Sequence, residues 1–206
     1  MNNSYNVIFL INNQAKIVIP LQDPVEWLGP IYQENIVLLS NNHKVSLSKK
    51  TIYHDMLDLV ELLNQSLNNK LRLDQSINQD IGYLVHEYHI DETKVTQYTF
   101  PSGVISWVGY KYKLWEAHED NLCLMSWIYN KPDGSIIFEV TPFYPYMYCE
   151  PEEEPNYIPY EEWIKTYKPY LIAMLSKEKA LQWLEQAQHI IRIIEENEAK
   201  WQAEKK

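Results

Sequence analysis

The chain has 206 residues, with 18 basic against 28 acidic side chains and a formal charge of −10 at pH 7. That balance argues against a general nucleic-acid binder, which needs a positive field to displace counterions, and against docking on an anionic membrane. Leu, Ile, Val and Phe together number 57 and aromatics make up 13%, enough apolar mass for one core, so a single domain over 1–206 is expected.

In chain order, Tyr5–Ile11 is rich in β-branched and aromatic residues, Asn12-Asn13-Gln14 punctuates it, and Lys16–Ile19 returns. This predicts a hairpin. After a loop bracketed by Pro20, Pro24 and Pro30, residues 35–39 and 43–47 read as two further strands around Asn41-Asn42. Residues 51–67 predict the first helix, because Ile52, Met56, Leu59, Val60, Leu63 and Leu67 recur at three- and four-residue steps; Ser48 or Thr51 would cap it. Residues 81–90 fit a short helix or a strand, with helix preferred.

The middle of the chain reads as β structure. Residues 104–115 alternate strictly enough to predict one strand. Residues 122–130 are apolar on both faces, as in a central strand covered from both sides. Lys131-Pro132-Asp133-Gly134 is a turn, and 135–141 alternates again. After a proline-rich, aromatic loop over 143–160, the rest reads as helices. A short segment spans 160–167, Pro169 interrupts it, and a final helix from 177 to beyond 195 carries Ala180, Leu184, Ala187, Ile190, Ile191 and Ile194 as its stripe. The charged tail 196–206 is expected to fray. The fold class expected is α+β: an antiparallel sheet of four to six strands with helices packed on it.

Cys123 and Cys149 are too few for a disulfide framework. The N-terminus lacks a basic residue ahead of its apolar stretch, and no apolar run exceeds six residues. No signal peptide or membrane span is therefore recognised, and a cytoplasmic protein with reduced thiols is expected.

Motifs for chemistry are sparse. His86-Glu87-x-His89 is one residue short of the His-Glu-x-x-His zinc pattern, so the pair reads as ordinary helix histidines and no metal is expected. His118-Glu119-Asp120 could hold a general base but reads as a solvated loop between strands. Cys123, inside an apolar strand, reads as a small core residue. Cys149 beside Glu150 sits in a negative field that works against thiol reactivity. Phosphate loops, nucleophile elbows and paired cysteines are missing, and no cofactor is implied. The most distinctive charged feature is the run Glu150-Pro151-Glu152-Glu153-Glu154, flanked by Tyr144, Tyr146, Tyr148, Tyr157 and Tyr160. Tyrosines beside charge are a composition enriched at binding interfaces.

Trp107-Val-Gly-Tyr-Lys-Tyr-Lys-Leu-Trp115, Asn130-Lys-Pro-Asp-Gly-Ser-Ile-Ile-Phe-Glu-Val140, Thr141-Pro-Phe-Tyr-Pro-Tyr146 and Tyr160-Glu-Glu-Trp-Ile-Lys-Thr-Tyr-Lys-Pro169 resemble a family of uncharacterised bacterial proteins over about residues 100–195. The resemblance implies no assigned catalytic residues. In character (small, acidic, aromatic-rich, α+β) the chain is loosely similar to immunity proteins of polymorphic toxins. The expected function is protein binding, as an immunity-type inhibitor of a basic toxin. Glu150, Glu152, Glu153, Glu154, Tyr146, Tyr148 and Tyr157 would meet the basic partner. The alternatives are a small hydrolase using His118, Glu119 and Asp120 or His86 and His89, and a non-catalytic homodimeric interaction domain paired through the last helix.

Overall fold

The computed structural model describes residues 5–21, 28–41, 43–119, 122–147 and 155–205. The class is α+β, as the patterning predicts. Strands β1 (Tyr5–Leu10), β2 (Ala15–Leu21), β3 (Ile36–Ser40) and β4 (His43–Ser48) form an antiparallel meander in that order. Asn12 explains the first turn: its Oδ1 accepts from the Gln14 and Ala15 amides, both at 2.8 Å. Beyond it, Ala15, Ile17, Ile19 and Leu21 alternate into the core. Helices α1 (Ile52–Leu67) and α2 (Ile81–Ile90) follow, then a small hairpin of β5 (Gln97–Thr99) and β6 (Ile105–Trp107).

A second four-stranded antiparallel sheet has the order β10-β9-β8-β7. It is built from β7 (Lys113–Glu119), β8 (Leu122–Asn130), β9 (Ile136–Phe143) and β10 (Leu171–Leu175). A one-turn helix α3 (Tyr160–Trp163) precedes β10, and α4 (Lys177–Glu204) ends the described chain. Instead of one sheet of four to six strands there are two of four and a hairpin. Helix α1 packs on β7 and β8, and α4 packs on α1.

Three expectations need correction. The stretch 104–115 is not one strand: Val108–Tyr112 winds into a 3₁₀ turn, and pairing with β8 starts at Lys113↔Trp127. Trp107, Val108 and Gly109 are buried in succession, which an alternating strand does not allow. The Trp107 ring folds over Gly109, where a Cβ would lie 2.3 Å from it. Residues 171–175 are a strand, not a helix: past Pro169, the Tyr170 amide bonds to the Val140 carbonyl at 2.8 Å and Leu171 joins the edge of β9. The tail 196–204 stays helical, because Asn197 is buried and donates to the Leu28 carbonyl at 3.0 Å while Trp201 lies over Gly29.

Strand β8 is buried on both faces from Cys123 to Asn130, so each polar group on it needs a partner. Ser126 Oγ accepts from the Trp115 amide at 3.1 Å, and Trp127 Nε1 donates to Thr141 Oγ1 at 2.8 Å. The Tyr129 hydroxyl donates to Glu139 Oε2 at 2.7 Å, and Asn130 Nδ2 donates to the Ser66 carbonyl at 3.0 Å, near the end of α1. At the other end of α1, Thr51 is the N-cap. Asp55, fully buried, accepts from Ser48 Oγ at 2.9 Å, while its carbonyl accepts from Trp115 Nε1 at 3.1 Å. Burial pushes the Asp55 carboxyl up to about 7.

Helix α4 also covers the open side of β1. Lys179 Nζ, Trp183 Nε1 and Gln186 Nε2, on one helical face, donate to the carbonyls of Ile11, Leu10 and Ile8 at 2.7, 3.1 and 3.3 Å. The predicted stripe is buried at Ala180, Ala187, Ile190, Ile191 and Ile194; Trp183 takes the place expected of Leu184, which is half-buried. Leu63 and Ile190 are both 0% exposed. Replacing either by Ala is expected to cost about 2–5 kcal/mol in urea-melt stability; a loss below about 0.5 kcal/mol would place the side chain outside the core.

Candidate functional site

In sequence, the acidic run lies between two strongly held segments. Glu150, Glu152, Glu153, Glu154, Tyr148 and Cys149 lie outside the described residues, but their flanks do not. On the entering side, Tyr144 and Tyr146 are buried. The Tyr144 hydroxyl donates to the Ile158 carbonyl at 2.7 Å, and the Tyr146 hydroxyl donates to the Asn156 carbonyl at 2.8 Å. Both acceptors belong to the returning side. The half-buried Tyr157 ring packs on Tyr146 at 5.4 Å between centroids, and Tyr160 and Trp163 pack on Tyr144 at 5.5 Å each. Of the tyrosines singled out in the sequence, Tyr146 therefore holds the base of the loop, and Tyr157 is partly open to solvent.

This base rests on His86. Its ring stacks on Phe143 at 5.3 Å and meets Trp163 at 4.9 Å and Tyr167 at 5.7 Å. Nε2 accepts from the Tyr144 amide at 3.1 Å, which leaves the ring proton on Nδ1. Burial holds His86 down to about 4, helped by neighbouring His89, although the Gly82 and Tyr83 carbonyls favour the proton. His86 is therefore a neutral acceptor that fixes the chain at Tyr144. Its approach depends on Gly82, one turn earlier on α2: a Cβ there would lie 2.4 Å from Thr141 Cβ and from the Tyr167 hydroxyl. Asp80 caps α2 by accepting from the Tyr83 amide at 3.0 Å, and it also accepts from the Tyr167 hydroxyl.

His86 and His89 do not converge. His86 Nε2 is taken by the Tyr144 amide, whereas His89 Nε2 bonds with the Tyr110 hydroxyl at 3.0 Å. Among the described residues no group of three or more His, Cys, Asp or Glu side chains is arranged to hold a metal ion.

His118 is not in a loop. It and Glu119 end β7, and Asp120 lies outside the described residues. His118 faces Cys123 across the β7–β8 ladder, with Nδ1 3.2 Å from Sγ. Its Nε2 lies 2.5 Å from Glu116 Oε1, and Glu116 Oε2 takes a 2.7 Å ion pair from Lys113. Glu116 is not legible as a site residue in a strand expected over 104–115. The signal lay in the alternation Glu116-x-His118 and in the antiparallel register that sets residue 118 opposite 123.

Clefts open at several places on the surface. One of about 580 Å³ opens at the β1–β2 turn, between Asn12–Lys16 and Leu39–Lys44. Another, of about 430 Å³, borders the aromatic base through Pro142, Trp163 and Tyr167. No family model, curated protein or solved structure matches this chain.

The His86 environment predicts a pH dependence. An unfolded chain takes up a proton at this histidine below about 6.5, while the folded ring resists it until about 4. Between these values the unfolded state binds more protons, so stability falls as pH falls across that window. Compared with His86→Gln, the wild type is expected to lose on the order of 3 kcal/mol more between neutral pH and pH 4, measured by urea melts. Parallel pH profiles would show that the ring titrates normally.

Proposed function

We propose that this protein is a protein-binding module that presents an acidic loop to a basic partner, in the manner of an immunity-type inhibitor of a basic toxin. The observation that carries the reading is the clamp of Tyr144 and Tyr146 onto the carbonyls of Ile158 and Asn156. Four glutamates in five residues stand between those clamped ends, on a chain already at −10. A segment fixed at both ends has lost part of its freedom before it meets a partner, which lowers the ordering cost of binding. Clustered like charge keeps a local negative potential over about 8 Å at physiological salt and steers a basic surface into encounter. Tyr157, half-buried against Tyr146 at the loop's return, offers a rigid ring at the rim of that charge. In this reading Glu150, Glu152, Glu153 and Glu154 set the association rate, Tyr148 and Tyr157 the dissociation rate, and Tyr146 the shape of the base.

The test is surface plasmon resonance against basic proteins captured from native lysate, at low and high salt. Replacing Glu152, Glu153 and Glu154 together by Gln is expected to slow association several-fold and flatten its salt dependence, with little change in Tm. Tyr157→Ala is expected to speed dissociation. An unchanged on-rate and salt slope in the triple variant would make the run solvated surface and end the reading.

A further inference from the structure

The polar row on β7 and β8 has the parts of an activated thiol. Cys123 Sγ, His118 Nδ1, His118 Nε2, Glu116 Oε1, Glu116 Oε2 and Lys113 Nζ follow one another at contacts of 3.2, 2.5 and 2.7 Å. The strand ladder sets this geometry, because Cys123 pairs with His118 and Met125 with Glu116. Antiparallel register puts those side chains on one face of the sheet. Burial alone would raise the Glu116 carboxyl, but Lys113, and then His118, override it and hold Glu116 below the usual carboxylate range. An ionised Glu116 places the imidazole proton on Nε2 and turns the Nδ1 lone pair toward the thiol.

We propose that Cys123 is a peroxide-reactive thiol, with His118 drawing off its proton and Glu116 stabilising the imidazolium. The step is a two-electron transfer. The thiol proton moves to His118 Nδ1. The thiolate attacks one oxygen of hydrogen peroxide, so an S–O bond forms and the O–O bond breaks. The leaving hydroxide takes the proton back from His118 and departs as water. Sulfur is oxidised to the sulfenic acid, Cys123–SOH, and the peroxide is reduced.

Access selects the reagent. Cys123 is 5% exposed, too enclosed for an acyl chain, whereas the His118 side chain across it is 54% exposed and a small neutral peroxide can enter beside it. Of the other groups near the row, Asp58 on α1 interacts with Lys113, and burial raises its carboxyl. Across Phe143, which pairs with Cys123 on β9, α2 sets His86 and His89, both held below the ordinary histidine range chiefly by burial. The 3₁₀ turn contributes Tyr110, hydrogen-bonded to His89. Cys149, the other cysteine, is not needed for the step.

The test uses the full chain with Cys149→Ser, so that Cys123 is the sole thiol, and its fold is checked by circular dichroism. Iodoacetamide labelling is followed by intact mass across pH. The half-point is expected at least about one pH unit below the ~8.5 of an ordinary thiol, and His118→Gln is expected to slow labelling near neutral pH about tenfold. Glu116→Gln is expected to slow it as well. Dilute hydrogen peroxide on the folded protein, quenched and followed by denaturation into dimedone, is expected to give an adduct on Cys123. A half-point at or above ~8.5, labelling unchanged by His118→Gln, or no dimedone adduct after peroxide treatment of the folded protein and denaturation would each overturn the proposal. If either variant at positions 116 and 118 fails to fold, the pH profile and the adduct of the single-thiol protein decide it.

Discussion

A strand with no solvent face is the constraint around which this molecule is arranged. β8 is buried on both sides from Cys123 to Asn130, so its backbone must be paired by strands on both edges and its faces covered. β7 and β9 supply the edges, and α1 supplies one cover. The polar residues of β8 then tie together elements far apart in sequence. Asn130 reaches α1 at Ser66, Ser126 holds Trp115, and Tyr129 holds Glu139. A hydrogen bond in such a place contributes only about 1 kcal/mol net, but leaving one partner bare costs about 1–3 kcal/mol. These pairs therefore specify which elements meet more than they add to stability.

The second consequence lies on the face covered by α2. Gly82 lets the helix touch Thr141 and Tyr167, and this close approach seats His86 among Phe143, Trp163 and Tyr167. Below it, burial and then the nearby Asp80 carboxylate keep Glu139 well above the ordinary carboxylate range. A protonated Glu139 can sit beside Asp80, where two bare charges would repel. Two titratable residues on this face, Glu139 and His86, are thus kept neutral.

Much of the fold was legible because local pattern and tertiary demand agreed. Ile52, Met56, Leu59 and Leu63 share a helical stripe and are all buried. The stretch 122–130, apolar on both faces, announced a strand covered twice. The misreadings have a common cause, which is that tertiary contacts overrode period. Trp107 folding over Gly109 broke an apparent strand, and Asn197 and Trp201 kept a polar tail helical by contacts with Leu28 and Gly29, some 170 residues away. Side-chain pairing across strands was also hidden. Glu116, His118 and Cys123 meet through register, and register depends on knowing where each strand begins. The tyrosines around the acidic run stood out by composition, but which of them turn inward is set by carbonyls at Asn156 and Ile158, and residue type carries no signal for that.

The cover over β1 has a consequence for how the chain is made. The carbonyls of Ile8, Leu10 and Ile11 are met by donors 168 to 178 residues later in the sequence. At ribosomal rates of about 5–20 residues per second, that separation is on the order of ten to thirty seconds of translation. Throughout that interval the nascent β1–β4 meander carries an uncovered edge able to template strand addition by a neighbouring chain. In the mature protein α4 meets three carbonyls along this edge. The period of greatest hazard is therefore synthesis itself, and a nascent-chain chaperone would find its work at this first hairpin until α4 emerges.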